Sequence, residues 1–573
     1  MALAIAVALL SAGCAGERRA DASPRAAARG ALTTVAATTT TSPSGSRLVI
    51  ADRAEAKLTD NFNPFAISSP LYQLGVPFYI YEPLVQYNDL GDDQYYPWLA
   101  GSWSFSSSGS TITFNLRTGV KWADGSNFTA ADVAYTFNLL KNNPSIAYGL
   151  PIVSAIASNT TTFTLTLSQP GYAYLYDIAR VPIVKSGYAG RAGLTTYVDK
   201  APDGTGPYTL AGSGGFSPQR VVLTGRAGYW QSNEPAIHQL VFPAYPDNAA
   251  IASALQSGTL DWAGTELSDV VTDYVDKDKS VNHYWGPPVD CIALELNLAR
   301  GPMATLRVRQ AISDVIDRDA LSQGMSGGLE LPVSSASGLV LPTDSQFLVH
   351  ADTGDIADGG DAAAAVPLMK AAGYHLGQHG YWTDATGHVV QFTIEDPVST
   401  DLATGATLVA SQLRAAGFDT SASLVTAARW RRDLTDGRFY ASIMASTGGP
   451  SPFYMYQYWL DPALVVHGHA QGGNYEQLDA ATAPKVAAAV NADLDTYTDS
   501  LSDSASAEAS VRDLATLVAQ ELPVVPLVYG VAWGEFSTRH ATGWPNGQDP
   551  YEPAIPKAPF AEYTVLQLSP GSP

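Results

Sequence analysis

The segment Gly324-Met-Ser-Gly-Gly328 has the spacing G-x-S-x-G, in which some hydrolases present a nucleophilic serine. Such a serine needs a strand before it and a helix after it, because the strained turn between them exposes the hydroxyl. Here the segment follows residues 306–322, whose apolar spacing predicts a helix, and Gly324 is predicted to cap that helix. We therefore predict that the protein is not an enzyme, with a serine hydrolase built on Ser326 as the alternative.

Two histidines, His467 and His469, have a spacing that could hold a metal ion. No further Cys, His or acidic residue close by in the sequence completes a ligand set, so we predict a surface loop. The chain also lacks the H-E-x-x-H, C-x-x-C, phosphate-loop and dinucleotide-binding patterns. The sequence therefore predicts neither a metal nor a cofactor.

The two cysteines, Cys14 and Cys291, have different surroundings. Cys291 begins an apolar run and is predicted to be a buried small side chain. Cys14 follows a short apolar stretch, residues 2–10, and three small residues, a pattern that resembles a bacterial lipobox, although Ser11 stands where leucine is usual. We predict a lipoprotein signal peptide over residues 1–14, acylation of Cys14 and an extracytoplasmic, membrane-anchored protein; an ordinary signal peptide is the alternative.

The composition predicts a protein of two or three domains. At 573 residues, 46% of them hydrophobic, the chain exceeds one ordinary core. Its 54 acidic residues outnumber its 32 basic ones, and the net charge of −22 disfavours binding to nucleic acid or to anionic lipid surfaces. Residues 15–46 are rich in Ala, Thr, Ser and Arg and are predicted to form a disordered tether.

Strand and helix patterns are mixed along the remaining chain. Alternating or β-branched runs predict strands at 47–50, 111–117 and 162–167, and helical spacing predicts helices at 130–140, after an N-cap at Thr129, and at 366–372, before Gly373. No fixed repeat relates these segments. The predicted fold class is therefore α/β, in the mixed α+β sense, with several lobes.

A series of short motifs occurs in one order over residues 47–560. They are Asn61–Phe65, Tyr81–Val85, Pro97–Ala100, Phe114–Gly125, Phe128–Val133, Gly204–Tyr208, Tyr229-Trp230, Leu255–Asp261 and Arg307–Arg318. Together they resemble bacterial extracytoplasmic solute-binding proteins of family 5, the peptide, nickel and oligosaccharide class. Most of these motifs have turn or helix-face chemistry and are predicted to be scaffold; in Arg307–Arg318 the charged side chains, Arg309 among them, are predicted to lie on the rim.

The resemblance implies a two-lobed periplasmic-binding-protein fold that closes like a hinge on its ligand. Lobe I would comprise residues 47–288, with a subdomain at about 95–200, and a C-terminal return at 527–573; lobe II would comprise 289–526. The two crossings are expected near Val289–Asn297 and Pro523–Tyr529. The resemblance also implies a monomer that delivers its ligand to an ABC permease, with the ATPase on a separate chain.

The ligand is predicted from two further segments. In peptide-binding members an aspartate of lobe II pairs with the peptide's α-ammonium, and Gly448 stands at the matching position here, with no acid between Gly437 and Leu460. A buried ammonium without a counter-charge is costly, so free-amine peptides are expected to bind poorly. Residues 543–551 and 449–453 resemble segments of oligosaccharide-binding members, whose aromatic rings stack on sugars.

We therefore expect an oligosaccharide slightly ahead of an oligopeptide as ligand. The residues predicted to contact it are Asn63, Tyr79, Trp285, Trp430, Thr447, Gly448, Tyr454, Trp533, Trp544 and Tyr551. A third hypothesis is an envelope lipoprotein that kept the fold without transport, which a cleft filled by its own side chains would favour.

Overall fold

The computed structural model describes residues 46–571, apart from 91–94, 190–192, 233–234, 268, 350–355, 357–358, 399–401 and 557–559. The predicted signal peptide, Cys14 and all of the predicted tether except Ser46 lie outside the described residues. Within the described part of the chain, no helix combines the length and apolar character needed to cross a bilayer.

An eight-stranded sheet forms the centre of lobe I. Its strands, in spatial order, are Asn282–Tyr284, Glu535–Ser537, Trp262–Ala263, Arg47–Ala51, Gln239–Pro243, Arg220–Gly225 and Tyr208–Leu210, with Phe216–Ser217 beside Arg220–Gly225. The C-terminal strand Glu535–Ser537 is inserted antiparallel between two strands from the middle of the chain. Lobe I therefore needs chain from both ends of the described sequence.

A four-stranded antiparallel sheet lies within the residues predicted as a subdomain. Its order is Ala100–Phe105, Thr111–Leu116, Thr162–Leu167 and Ile152–Ala157, and helix Ala130–Lys141 packs on it. The predicted cap of that helix is confirmed, because the Asp132 carboxylate accepts a hydrogen bond from the backbone N–H of Thr129 at 2.9 Å. Phe137 of the helix contacts Phe163 of the sheet at a ring distance of 5.2 Å.

A five-stranded mixed sheet defines lobe II. Its order is Asp419–Val425, Gln391–Pro397, Ala441–Ala445, Pro288–Leu296 and Val524–Val531. Successive residues of a strand point to opposite faces of the sheet. Apolar side chains are buried on both faces, because helices cover each of them. One face is covered by helices Leu306–Val315, Arg318–Ser326, Ala362–Ala371 and Leu402–Ala415, and the other by Ala427–Thr435, Pro452–Leu460, Pro484–Thr498 and Ala505–Glu521.

The chain passes between the two lobes in two strands that run side by side. Pro288–Leu296 and Val524–Val531 pair antiparallel, and each continues directly into the lobe I sheet, at Asn282–Tyr284 and Glu535–Ser537. We call these paired strands the crossings. The predicted mixed α/β class is confirmed, whereas the residue limits predicted for each lobe stay predictions.

The remaining elements are short. Two-stranded ladders join Val85–Tyr87 with Tyr95–Pro97, His375–Leu376 with Trp382–Thr383, Val465–Val466 with His469–Ala470, and Ala541–Thr542 with Ser569–Pro570. The other α-helices are Pro70–Gln73, Leu175–Ala179, Asn248–Gln256, Val270–Asp273 and Phe560–Gln567.

Two local predictions are wrong in lobe II. The helix predicted over 306–322 is two helices, which separate at Ile316 and Asp317, and Gly327 caps the second one with a φ of 64°. Gly324 therefore lies inside a helix rather than at its end. Arg309 is buried rather than on the rim, since its guanidinium donates hydrogen bonds to the backbone carbonyls of Met303, Glu521 and Leu522.

Candidate functional site

A cavity lies beside the crossings and is bounded by both lobes. Lobe I contributes Asp89, the crossing contributes residues 288–290, and lobe II contributes two further segments. The described residues that line it are Asp89, Pro288, Val289, Asp290, Val340, Thr343, Asp344, Ser446, Thr447, Gly448, Gly449, Ser451, Pro452 and Met455. A molecule held here would touch both lobes and the strand between them.

The lobe II wall of the cavity is the loop after strand Ala441–Ala445. Ser446 ties this loop to the crossing twice: its hydroxyl accepts a hydrogen bond from the Cys291 N–H at 3.0 Å, and its own N–H donates to the Cys291 carbonyl at 2.9 Å. Ser451 then caps helix Pro452–Leu460, whose first residue is a proline suited to that position. The loop is therefore fixed at both ends.

One tyrosine from each lobe reaches across the cleft, Tyr176 from lobe I and Tyr454 from lobe II. The Tyr176 hydroxyl donates a hydrogen bond to the Gly448 carbonyl at 3.3 Å, and the Tyr454 hydroxyl donates to the Ala173 carbonyl at 2.8 Å. The rings of Tyr176 and Tyr454 lie 4.4 Å apart. The structure thus shows the two lobes in direct contact at one end of the cavity.

Three carboxylates line the cavity: Asp89, Asp290 and Asp344. One oxygen of Asp344 accepts a hydrogen bond from the Val340 N–H at 2.9 Å and so shapes its own loop. None of the three was predicted from the sequence, because the expected position of an anchoring acid was limited to residues 437–460. The sequence did offer one signal for Asp290, because an acid directly before the apolar run that begins at Cys291 is unusual.

Of the predicted ligand residues, Thr447 and Gly448 line the cavity, and Tyr454 lies at the contact between the lobes. Trp285 and Trp533 lie where the crossings enter lobe I. The backbone N–H of Trp285 donates to the Gly534 carbonyl at 3.0 Å, and the Trp533 ring is 5.7 Å from that of Tyr284. Both indoles are partly buried and are absent from the described lining of the cavity.

The other predicted ligand residues make contacts within a single lobe. Asn63 and Tyr79 are fully buried, and the Asn63 amide donates to backbone carbonyls. Trp544 is 5% exposed and packs on Trp262 and Phe536, which leaves little ring surface for a ligand.

Trp430 and Tyr551 are likewise held by their own lobes. The Trp430 indole donates to the Ser442 hydroxyl at 2.9 Å, and the Tyr551 hydroxyl donates to the Gly543 carbonyl at 2.7 Å. The ligand contacts predicted for Asn63, Tyr79, Trp430, Trp544 and Tyr551 therefore gain no support from their positions.

Ser326 has the surroundings of a structural serine. It is 1% exposed, its hydroxyl donates to the Ser322 carbonyl at 3.2 Å, and it accepts from the Glu330 N–H at 2.9 Å. It lies in the last turn of a helix, not at the strand-to-helix turn that a nucleophile elbow requires. This geometry offers no exposed nucleophile.

His467 and Gly468 form the tip of the hairpin between Val465–Val466 and His469–Ala470, both with positive φ. His469 contacts Asp436 at 3.2 Å. Among the described residues, no group of three His, Cys, Asp or Glu side chains is arranged to hold a metal ion. The histidines therefore belong to a surface turn.

Paired crossings, two lobes and a cavity between them define a two-lobed solute-binding protein. Residues 94–463 match the family described as bacterial extracellular solute-binding proteins, family 5, which is more than half of the chain. The chain belongs to this family, whose members are extracytoplasmic binding proteins that work with ABC importers.

Curated relatives have several ligands. The dipeptide-binding protein of Escherichia coli K12 is 30% identical over 347 residues, or 56% of this chain and 62% of that protein, so the match spans less than two thirds of it. The nickel-binding periplasmic protein of the same organism is 25% identical over 500 residues, covering 84% of this chain and 88% of the relative. These relatives are named as binding proteins and not as enzymes.

Solved structures share the fold. An oligopeptide-binding ABC-transporter protein of Thermotoga maritima superposes with a TM-score of 0.80 at 22% identity, covering 92% of this chain and 99% of the other. A mannohexaose-bound structure of an oligopeptide-binding protein from that organism has a TM-score of 0.72 at 22% identity, covering 92% and 98%. NikA of Brucella suis, in complex with Fe(III)-EDTA, has a TM-score of 0.75 at 23% identity, covering 91% and 99%. The predicted two-lobed fold is confirmed.

Proposed function

We propose that this protein captures an oligopeptide or oligosaccharide in the cleft between its lobes and delivers it to an ABC permease whose ATPase is a separate chain. The cavity beside the crossings has a volume of only about 30 Å³, so the lobes must move apart to admit such a ligand. The observation that carries the proposal is that both lobes and the strand between them bound one cavity. A ligand that contacts both lobes stabilises the closed arrangement over an open one, because only the closed arrangement offers both sets of contacts.

The crossings give this closure a hinge. The two lobes are joined by a two-stranded connection, and the contacts of Tyr176 and Tyr454 with the opposite lobe are hydrogen bonds and ring contacts of single side chains. Such contacts can form and break as the lobes rotate, whereas the core of each lobe stays packed. The closed form then presents both lobes together to the permease.

The positions of two aromatic residues weaken the preference for a sugar over a peptide. The oligosaccharide hypothesis drew on Trp544 and Tyr551, whose side chains are occupied within lobe I. Polar groups and backbone at Thr447, Gly448 and Gly449 line the cavity instead, and these can hydrogen-bond the amides of a peptide as well as the hydroxyls of a sugar.

A tryptophan at position 448 is expected to block the cavity. A Cβ at Gly448 would lie 3.4 Å from the Val289 carbonyl oxygen, so the first side-chain atom fits and the indole must fill the space beyond it. Native mass spectrometry of protein from its own host identifies the co-purified ligand, and titration calorimetry then measures its affinity. We expect Gly448→Trp to lose at least tenfold in affinity for that ligand and to abolish its uptake by cells.

The matched control is Gly212→Trp, because the position of a Cβ at the exposed Gly212 has no atom within 4 Å. This variant should bind and support uptake like the unmodified protein. Unchanged affinity in Gly448→Trp, with the ligand still retained, would place the binding site elsewhere. The envelope-lipoprotein hypothesis would be favoured if the purified protein carried no ligand and if cells without the gene grew and took up solutes normally.

We further propose that Cys14, which lies outside the described residues, is acylated and anchors the protein outside the cytoplasm. Two acyl chains stabilise membrane association by about 0.8 kcal/mol for each buried CH₂ group, so losing them should have a large effect. Cys14→Ala is expected to move the protein from the membrane fraction to the soluble fraction, measured by immunoblotting. Cys291→Ala is the matched control and should stay membrane-bound; membrane retention of Cys14→Ala would refute the anchor.

A further inference from the structure

Two hydrogen bonds of tyrosine side chains join the lobes directly. The Tyr176 hydroxyl of lobe I donates to the Gly448 carbonyl of lobe II at 3.3 Å, and the Tyr454 hydroxyl of lobe II donates to the Ala173 carbonyl of lobe I at 2.8 Å. The two rings pack on each other at 4.4 Å, and both residues are buried. The two bonds run in opposite directions across the cleft, so each lobe both donates and accepts.

Each of these tyrosines is held in place by its own lobe. In lobe I the Tyr176 ring packs edge-on against Tyr87 at 5.0 Å, and the Arg180 guanidinium lies 5.0 Å from the centre of the same ring. In lobe II Tyr454 lies in the first turn of a helix, and its ring is 5.3 Å from that of Phe453. Rings fixed in this way lose little further freedom when they meet the opposite lobe, which favours the contact.

The loop at Gly448 and Gly449 is shaped for these contacts. A Cβ at Gly449 would lie 2.9 Å from the Tyr454 ring, so a larger residue would push the ring away. Gly448 accepts the hydrogen bond of Tyr176 and also lines the cavity beside the crossings. One residue of the cavity wall is therefore already bound by a side chain of the opposite lobe.

The tyrosine contacts and a bound oligomer exclude each other. While the two hydrogen bonds are formed, the cavity has a volume of about 30 Å³, whereas pockets for small-molecule ligands are typically about 300–1,000 Å³. A cleft widened to that size separates the hydroxyls from the carbonyls, and a hydrogen bond is lost beyond about 3.5 Å. Closure over a ligand therefore cannot retain these two bonds.

We propose that the side chains of Tyr176 and Tyr454 form a latch that closes the lobes on each other, and that a ligand binds by displacing this latch. The latch acts on the cleft of the proposed function and rests on that function. Separating the lobes would expose both rings to water, which favours the latched arrangement. Because a ligand binds only to the unlatched fraction of the protein, the latch lowers its apparent affinity by that fraction.

Small-angle X-ray scattering of the full chain, dialysed free of small molecules, tests the latch directly. Cys14→Ala is present throughout to avoid detergent. The latch variants are Tyr176→Phe, Tyr454→Phe and the two together, which remove the hydroxyls and keep the rings. The control is Tyr381→Phe, at a half-buried tyrosine of lobe II that is not among the described residues lining the cavity. Melting temperatures establish that each variant is folded.

We expect the double variant to have a larger radius of gyration than the unmodified protein, and Tyr381→Phe to have the same radius. Each single variant should lie between them, because one of the two hydrogen bonds remains. Equal radii for the double variant and the control would overturn the latch.

Titration calorimetry with di- to pentapeptides and with cello-, xylo- and malto-oligosaccharides measures the effect of the latch on affinity. We expect any of these that binds to bind the double variant more tightly, by about threefold or more, because the bonds that oppose opening are gone. Weaker binding would show that the hydroxyls contact the ligand and would overturn the displacement. If no member of the panel binds, the ligand classes of the proposed function fail, and the scattering result still decides the latch.

Discussion

Replacement of Arg318 by methionine is expected to lower the free energy of unfolding of lobe II by about 3 kcal/mol or more. Arg318 is fully buried, and its guanidinium donates hydrogen bonds to the backbone carbonyls of Ser313, Ile316 and Pro526. Each buried acceptor that loses its donor costs about 1–3 kcal/mol. Because Pro526 belongs to a crossing, the loss also loosens the attachment of helix Arg318–Ser326 to the hinge.

Urea unfolding monitored by circular dichroism measures the effect of Arg318→Met. Arg307→Met is the matched control, since Arg307 is exposed on the preceding helix and its loss should change the free energy by no more than about 0.5 kcal/mol. Arg318→Lys keeps the charge but loses the planar fork, so it should fall between the two. Equal stability of Arg318→Met and Arg307→Met would contradict the stabilising role of the buried guanidinium.

Stability is expected to fall as pH rises from about 5 to 8, and Glu476→Gln should remove part of that fall. Glu295 and Glu476 are both fully buried and interact with each other. Burial is the main cause that raises the pKa of each, that of Glu295 to about 8. Between the ordinary value of 4.5 and the raised value, the folded state holds more protons than the unfolded state, so stability decreases with pH.

Glu476→Gln removes one member of this pair and lets an amide donate to Glu295. The variant should be more stable than the unmodified protein at pH 8, by an amount on the order of a few kcal/mol, and similar to it at pH 5. Melting temperatures across this range measure the difference. Burial raises the pKa of Glu82, Glu535, Glu552 and Glu562 as well, so part of the slope will remain. Glu508→Gln is the control, since the Glu508 side chain is 44% exposed and is paired with Arg512 at 3.1 Å. Parallel pH profiles for the two variants would rule out the Glu295–Glu476 pair as a source of the slope.

Local sequence predicted those features whose causes are local. The hydrogen bond between Thr129 and Asp132 needs only three residues of spacing, and the strand Thr162–Leu167 needs only its alternation. The ordered motifs predicted the family, and with it the two-lobed architecture. The local features can be predicted from a short stretch of sequence, and the family can be predicted from the order of its motifs.

The remaining features depend on partners distant in sequence. Trp544 looks like a sugar-stacking residue until Trp262 and Phe536 are found against it. Arg309 looks like a surface residue because the carbonyls that bind it come from Glu521 and Leu522, more than 200 residues away. The acids that line the cavity were not predicted for the same reason, since only the fold brings Asp89 and Asp290 to one cavity.

The insertion of Glu535–Ser537 into the lobe I sheet has a consequence for how the protein is made. In the described sheet, Asn282–Tyr284 pairs with that strand and with no other, and the Trp262 indole donates to the Ala554 carbonyl, 292 residues further along. In a growing chain the lobe I sheet therefore stays incomplete while lobe II is synthesised. Closing so long a loop costs entropy and slows folding. Lobe II can assemble first, but the lobe I sheet is complete only once Glu535–Ser537 has been synthesised.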